Sequence, residues 1–425
     1  MYRRGPASNR WFLAFFPYKM AFGASSVALP LFVIRLGGGV VDVGLVTAIN
    51  VAASIPASIA WARLSDRVGR RKAFIAASFL LNGITFALLA ASARVAELMV
   101  YSALQGVFVA ACTTATGMIV VETFPRARWE REFGVLSFIE GVAWTAGLLL
   151  GVASLDLRPL FALSSLLLLL SLALSLIMIE EPKITLERDQ LKVVVPRLHR
   201  NFPPHIHPPT LRGMLRMCRT LKDGLHRNLA KHYAGTFAVF LGTNLLFTPL
   251  PAFMLERGVP EGEVFLIFFL NSASSTIFYL AVAKLSDRLG DRPLLIYALL
   301  ARGALFLLLA AAAAAPPSPS LAPFMSVVLS AVGLTWSVVA VCTKALTPKL
   351  SALMEEGRSV GVYNAVASLG SLAGALLSGL AAYACGYAQT FALSAELMAL
   401  GAICFFLIKL RRPVVSAARG ARAVT

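Results

Sequence analysis

Residues 62–72 read ARLSDRVGRRK, and a near copy, AKLSDRLGDRP, occupies residues 283–293. Each run of charge and glycine lies between two long apolar segments. The second run begins 221 residues after the first (283 − 62), and the same offset relates Asn50 to Asn271. Because charged residues and asparagine are scarce inside apolar segments, a shared offset indicates an internal repeat. The sequence therefore predicts two related halves.

The composition is that of an integral membrane protein. Of the 425 residues, 58% are hydrophobic and only 14% are charged, and the mean hydropathy is +0.76. Runs of about 20 apolar residues are long enough to cross the hydrocarbon core as helices, and too long for membrane strands. They lie near residues 11–34, 43–62, 73–93, 97–121, 133–154, 159–179, 233–254, 263–283, 294–315, 321–343, 359–384 and 388–409. The predicted fold is an all-α bundle of twelve transmembrane helices.

Basic residues are distributed unevenly between the two sides of this bundle. Four arginines fall in loops on one side, and two basic residues fall inside spans; the other lysines and arginines lie at the termini, in the 181–231 segment or in loops on the second side. Loops that are rich in lysine and arginine, here those on the second side, face the cytoplasm. We therefore expect a multi-pass protein of the plasma membrane with both termini cytoplasmic. The net charge of +18 then marks topology, and we expect no nucleic-acid partner.

Three regions are predicted along the chain. Residues 1–180 and 232–425 form six-helix bundles, and 181–231 is a cytoplasmic linker. Within the linker, leucines recur at helical spacing among arginines and lysines over 211–231. This pattern predicts a basic amphipathic helix on the anionic leaflet, although a solvated linker fits the same residues.

Metal, cofactor and enzyme signatures are weak. The five cysteines lack a C-x-x-C spacing, and His205 and His207 stand between prolines without an acidic or cysteine partner nearby. We predict no metal site and no cofactor. The chain also lacks a G-x-x-x-x-G-K-[ST] loop and any cluster that resembles a nucleophile with its base, so we predict neither ATP-driven transport by this chain alone nor an enzyme.

The first charged run resembles the signature between helices 2 and 3 of the major facilitator superfamily, G-x-x-x-D-R-x-G-R-R/K-R/K. The matching residues are Asp66, Arg67, Gly69, Arg70, Arg71 and Lys72. The second copy keeps Asp287, Arg288, Gly290 and Arg292 but has Asp291 and Pro293 where the pattern has basic residues.

The resemblance implies alternating access by two six-helix halves, with the charged runs latching the halves together at the cytoplasmic side. It also implies that Glu122, at the cytoplasmic end of helix 4, is a partner in this latch. The alternative is that the runs serve only as a topology signal.

Ionisable residues inside spans are candidates for function, because their burial in hydrocarbon is costly. Lys19 in helix 1 and Glu140 in helix 5 lie at similar depths, roughly 10–12 Å from the cytoplasmic end, and could pair. Glu140 is predicted to be a protonation site, with Lys19 as its counter-charge or as the binder of an anionic substrate; a structural ion pair is the alternative. Arg302 and Glu396 are expected to form a structural pair. The predicted spans contain no histidine.

Further polar and aromatic residues in the spans are candidates for the substrate cavity, and each could instead serve interhelical packing. They are Asn50, Trp144, Asn244, Asn271, Trp336 and Asn364.

The predicted function is secondary active transport of a small solute, with protons as the coupling ion. Three alternatives remain open. The protein could export amphipathic compounds, import small organic anions, or act as a membrane sensor or scaffold that binds a ligand without moving it.

Overall fold

The computed structural model describes residues 9–124, 128–153, 156–181, 224–350 and 356–408. Within these ranges, twelve helices are long and apolar enough to cross a membrane. This confirms the predicted fold class of an all-α, multi-pass membrane protein.

Each half contributes six long helices. In the first half they are α1 (Phe15–Arg35), α2 (Val40–Val68), α3 (Arg71–Ala91), α4 (Val95–Thr123), α5 (Trp129–Ala153) and α6 (Leu157–Met178). In the second half they are α7 (Gly224–Phe247), α8 (Glu261–Leu289), α9 (Asp291–Ala314), α10 (Leu321–Leu350), α11 (Glu356–Cys385) and α12 (Tyr387–Phe406). A short 3-10 helix, Asn9–Ala14, precedes α1, and a seven-residue helix, Leu250–Glu256, continues α7.

The two signature glycines end equivalent helices. Gly69 follows α2 with φ +71°, and Gly290 follows α8 with φ +82°. Glycine adopts this left-handed region without the clash that a Cβ would cause. Each charged run can therefore turn sharply from one membrane-spanning helix into the next.

The same packing scheme recurs in both halves. In the first half α2 packs on α4 and α3 on α6; in the second, α8 packs on α10 and α9 on α12. A Cβ added at Gly106 would lie 2.1 Å from the backbone oxygen of Asn50, and a Cβ at Gly333 would lie 2.1 Å from that of Asn271. Small residues let helix backbones approach closely. The repeat seen in the sequence is thus a repeat of helix crossings.

The halves contact one another mainly through α2 with α11 and α5 with α8. We call the end of the bundle that carries the α2–α3 and α8–α9 turns the basic end. A Cβ at Gly44 would lie 2.9 Å from the oxygen of Ala375, and one at Gly151 would lie 2.1 Å from the Phe265 ring. Both contacts lie toward the opposite end. The structure therefore holds the halves together away from the basic end.

The start of the second half differs from the prediction. Helix α7 begins at Gly224, not near residue 232, and Leu229 packs against the core. Lys231 donates a 2.7 Å hydrogen bond to the backbone oxygen of Leu407. Residues 224–231 therefore belong to a bundle helix and not to a surface helix, while 181 is the last described residue before them and 211–223 lie outside the described part.

Candidate functional site

The structure brings Lys19 and Glu140 together. The Nζ of Lys19 lies 3.4 Å from Oε2 of Glu140, and their side chains are 23% and 28% exposed. Helices α1 and α5 approach closely here: a Cβ added at Gly147 would lie 1.9 Å from the oxygen of Met20. A glycine on α5 thus allows the two charged side chains to meet.

One side of this ion pair is an aromatic wall. The Nζ of Lys19 lies 5.6 Å from the centroid of the Tyr18 ring, within the range of a cation–π contact. The Tyr18 ring packs in turn on Phe22 and Phe79, with centroid distances of 4.8 and 4.9 Å. Aromatic rings therefore pack beside the pair, which stays about one quarter exposed.

The ion pair lies beside the contact between the halves. A Cβ added at Gly141 would lie 3.5 Å from Oγ1 of Thr276 on α8. One turn further toward the opposite end, the hydroxyl of Thr145 lies 2.7 Å from that of Ser272. Glu140 therefore adjoins the basic-end side of an inter-half contact.

The two repeat-related asparagines make equivalent packing contacts. Asn50 donates from Nδ2 to the oxygen of Ser102 at 3.0 Å and to Oε1 of Gln105 at 3.2 Å. Asn271 donates from Nδ2 to the oxygen of Leu329 at 2.7 Å. Each asparagine ties the second helix of its half to the fourth, which is the packing alternative left open by the sequence.

The other predicted cavity residues are dispersed. Asn244 donates to the oxygen of Phe240 within α7, and the Phe240 ring packs edge-on against Trp336 of α10 at 5.8 Å. Trp144 is partly buried on α5, and Asn364 is exposed on α11. No single cluster of described residues unites these side chains with the ion pair.

The expected pair between Arg302 and Glu396 is wrong. Arg302 is 1% exposed and donates to the oxygen of Val332 at 2.9 Å and to Oγ1 of Thr335 at 3.2 Å. Its guanidinium lies 5.0 to 5.6 Å from the ring centroids of Phe247, Phe306 and Trp336. Glu396 is exposed on α12. Among the described residues, this guanidinium therefore contacts hydrogen-bond acceptors and aromatic rings and not a carboxylate.

At the basic end of the first half, charges join three helices. Arg71 donates to Oγ of Ser65 at 2.6 Å and to Oε1 of Glu122 at 3.2 Å. The side chains of Arg71 and Glu122 are 2% and 18% exposed. We call Ser65, Arg71 and Glu122 the N clasp; it joins α2, α3 and α4 within one half.

The other residues of the first run lie around the N clasp. Arg67 and Arg70 are exposed, and the side chain of Asp66 lies outside the described residues. Lys72 donates from Nζ to the oxygen of Leu176 at 2.6 Å and from its backbone to Glu181 at 3.1 Å. These contacts also stay within the first half.

The second half contains an ion pair of opposite polarity at the same helix junction, which the sequence analysis missed. Asp291 accepts hydrogen bonds from the Ser286 hydroxyl and from Nζ of Lys349. Ser286 stands 221 residues after Ser65. We call Ser286, Asp291 and Lys349 the C clasp. The sequence feature that could have indicated the C clasp is Asp291, an acidic residue at a position where the signature has a basic one.

The remaining residues of the second run do not enter the C clasp. Asp287 and Arg288 are exposed, whereas Arg292 donates from Nε to the oxygen of Phe405 at 3.0 Å and also to that of Phe406. Arg292 thus ties α9 to the end of α12.

A buried histidine was also missed. His232 is 0% exposed within α7, so the prediction that no span contains a histidine is wrong. Its Nε2 lies 2.9 Å from Oγ1 of Thr347, and its ring stacks on Tyr363 with a centroid distance of 6.0 Å. Extending the predicted seventh helix by one turn would have included it.

At the opposite end, Arg35 joins the two halves. Its guanidinium contacts Asp156, at the start of α6, and Glu261, at the start of α8, the latter at 3.1 Å. Partial desolvation raises the pKa of Asp156. The backbone N–H of Leu157 and the Arg35 guanidinium lower it more, so that this pKa lies below its ordinary value of 3.8. This contact fastens the end at which the halves already meet.

Two related six-helix halves, joined away from the basic end around a charged pair at their boundary, define the class of secondary transporters. A sequence model of the Major Facilitator Superfamily matches residues 11–218 and 233–424. The chain belongs to this superfamily, as its charged signature predicted.

Several solved structures share the fold. The nucleoside transporter NupG is 12% identical, with a TM-score of 0.72 over 95% of this chain and 99% of its own. A D-xylose-proton symporter is 16% identical, with a TM-score of 0.71 over 93% and 97%. A bacterial homologue of the human lysosomal transporter Spinster, inward-facing and unoccupied, is 16% identical, with a TM-score of 0.70 over 95% and 97%. No curated protein matches the chain.

Proposed function

We propose that the protein moves a small solute across the plasma membrane by alternating access, with the Lys19–Glu140 pair as the site that couples transport to protons. The observation that carries this proposal is the 3.4 Å ion pair, about one quarter exposed, beside a contact between the halves. A charged pair within a span is costly unless it has a task or a structural role.

The chemistry of the pair supports exchange between a proton and a solute. While Glu140 is ionised it neutralises Lys19. A proton on the carboxyl removes that neutralisation, and the Lys19 ammonium is then free to bind an anionic or polar acceptor group. Rocking of the halves would expose the pair first to one side and then to the other.

The direction of opening follows from the contacts between the halves. The close approaches at Gly44 and Gly151 and the Arg35–Glu261 ion pair lie away from the basic end. We take the basic end to be cytoplasmic, because loops rich in lysine and arginine stay on that side. These contacts support a state closed at the opposite end, and we propose that this state opens toward the cytoplasm.

The exposed part of Lys19 favours a substrate with an anionic group over a purely apolar one. The Lys19 side chain is 23% exposed, and its ammonium has one carboxylate neighbour among the described residues. An anionic substrate would compete with Glu140 for this ammonium. An amphipathic compound would instead use the Tyr18 aromatic wall and depend little on Lys19.

The test is ligand-induced thermal stabilisation followed by flux. Purified protein would be screened against organic anions, organic cations, sugars and amphipathic compounds as wild type, Lys19→Ala and Glu140→Gln. The hit would then be assayed for uptake into proteoliposomes with and without a proton gradient. We expect an anion whose binding Lys19→Ala abolishes, and whose gradient-driven uptake Glu140→Gln abolishes.

Glu263→Gln is the matched control, because Glu263 is an exposed carboxylate at the opposite end. It should behave as wild type. Binding and uptake that neither Lys19→Ala nor Glu140→Gln alters would contradict the proposal, and binding without any uptake would show a sensor.

A further inference from the structure

Glu396 is a further ionisable residue inside a span, and it lies apart from the Lys19–Glu140 pair. Glu396 is the tenth of the 20 residues of α12. At 1.5 Å per residue it lies roughly 15 Å from either end of the helix. It is therefore near the middle of the hydrocarbon layer.

Glu396 faces the membrane and not the space between the halves. The buried side of α12, which includes Ser394 and Met398, packs on α7 and α9 of its own half. Glu396 lies instead on a face with Leu393, Leu400 and Ile403, whose side chains are 44%, 49% and 55% exposed. At this depth the exposed face of a peripheral helix contacts lipid chains.

A groove between α9 and α12 surrounds this carboxyl. It has a volume of about 320 Å³. Gly303 lies at the floor of the groove. A Cβ added there would lie 3.4 Å from the oxygen of Ala395, so the missing side chain leaves room in the groove. Its lining residues are apolar except for Glu396: Leu299, Leu300, Gly303, Ala304, Leu307, Ala395 and Ala399.

No cation of the described residues neutralises Glu396. Arg302 precedes Gly303 on α9, but its guanidinium turns inward to Val332 and Thr335. A lone carboxyl at mid-membrane is costly when its helix inserts, so such residues mark function by default.

Depth and charge select the occupant. Lipid headgroups lie at the membrane surface, about 15 Å away, and cannot reach a carboxyl at the centre. A second copy of the chain would need an exposed cation at the same depth, but the two basic residues within the described spans at such depth, Lys19 and Arg302, are both held inside the bundle. A cation with apolar substituents can enter from the lipid phase itself.

We propose that the groove between α9 and α12 binds a lipophilic organic cation, with its positive centre against Glu396 and its apolar substituents against the leucines of α9. The volume is at the lower end of the range for small-molecule sites. Aliphatic walls desolvate the ligand, and the low dielectric strengthens its attraction to the carboxylate. This site is separate from the Lys19–Glu140 pair and does not depend on the proposed transport function.

The test is equilibrium binding of methyltriphenylphosphonium to the full chain in nanodiscs of zwitterionic lipid. We expect saturable binding to wild type, weakened about tenfold or more by Glu396→Gln, which keeps the shape and removes the charge. The uncharged analogue triphenylphosphine oxide should bind wild type and Glu396→Gln alike. Ala399→Trp, which fills the groove and keeps the carboxyl, should also abolish binding of the cation.

Controls separate this site from the others. Glu140→Gln and Glu263→Gln should bind the cation as wild type does, and equal thermal unfolding of Glu396→Gln and wild type would show that the variant is folded. Absence of saturable binding to wild type, or equal affinity in Glu396→Gln, would overturn the proposal. So would a dimer that Glu396→Gln dissociates, because the groove would then hold a second copy.

Discussion

The N clasp and the C clasp lie at the same helix junction in the two halves but carry opposite charges, and their buried charges differ in register by one residue, because the 221-residue offset relates Asp291 to Arg70 and Arg292 to Arg71. In the N clasp the buried member is a cation, Arg71, with a side chain 2% exposed. In the C clasp the buried member is an anion, Asp291, at 6% exposed, and its partner Lys349 is 61% exposed. A serine at the end of the preceding helix bonds the buried charge in both halves.

Both halves therefore have an ion pair at this junction, although neither the residue types nor the position of the buried charge is the same. The signature reads as degenerate in the second half because Asp291 replaces a basic residue. The structure shows that a lysine on α10 replaces the acid of α4, so that an ion pair still joins three helices. The exposure of Lys349 also makes the C clasp the weaker of the two, because water screens exposed ion pairs.

The largest effect should come from removing the acid of the N clasp. Glu122→Gln leaves the buried Arg71 guanidinium without this carboxylate, and we expect a loss of about 2 kcal/mol in the free energy of unfolding. Thermal unfolding in detergent, followed by tryptophan fluorescence, measures it. The exposed Glu180→Gln is the control and should change stability by less than about 0.5 kcal/mol. Equal stability of Glu122→Gln and wild type would show that the N clasp contributes nothing.

A smaller loss is expected when the partner in the C clasp is removed. Lys349→Met leaves Asp291 bonded to Ser286, and water can replace the exposed ammonium. We therefore expect a loss of about 1 kcal/mol in the free energy of unfolding. The same unfolding assay applies. A loss as large as that of Glu122→Gln would contradict the ranking of the two clasps.

Exchanging the charges of the C clasp makes the comparison sharper. The variant with Asp291→Lys and Lys349→Asp reproduces the polarity of the N clasp, with the cation in the buried position. A double-mutant cycle should give a favourable coupling of about 0.5–1 kcal/mol relative to the two single variants. Additive effects of the two substitutions would show that the ion pair itself is unimportant.

The smallest effect concerns the opposite end, where Arg35 contacts Asp156. Because the pKa of Asp156 is lower in the folded protein than its ordinary value of 3.8, its contribution is present above that value and is lost as the pH falls below it. Asp156→Asn should therefore flatten the acid limb of the stability curve of wild type. Acid limbs that coincide would contradict this role.

Much of the fold could be read from the sequence. The lengths of the apolar runs predicted the twelve helices, and the 221-residue offset indicated the internal repeat. The boundary of α7 failed because Arg227 and Lys231 lower the local hydropathy, although their helix continues into the span. Local hydropathy cannot distinguish a polar helical extension from a linker.

The sites were harder to predict. Similar depth in the membrane correctly predicted the pairing of Lys19 with Glu140, because depth follows from position along a helix. The same argument gave a wrong pairing for Arg302 and Glu396, because depth does not determine the direction in which a side chain points. The C clasp was missed because its partner, Lys349, lies 58 residues after Asp291 and no spacing rule links them.

The central claim is that the halves alternate and that Glu140 controls the exchange. Spin labels at Val68 and Leu289, exposed ends of α2 and α8 at the basic end, would report the separation of the halves once the five native cysteines are replaced. We predict two distances in wild type and a different ratio of the two in Glu140→Gln, whose side chain cannot carry the charge that pairs with Lys19. A single distance in wild type, or the same ratio in both proteins, would contradict the account.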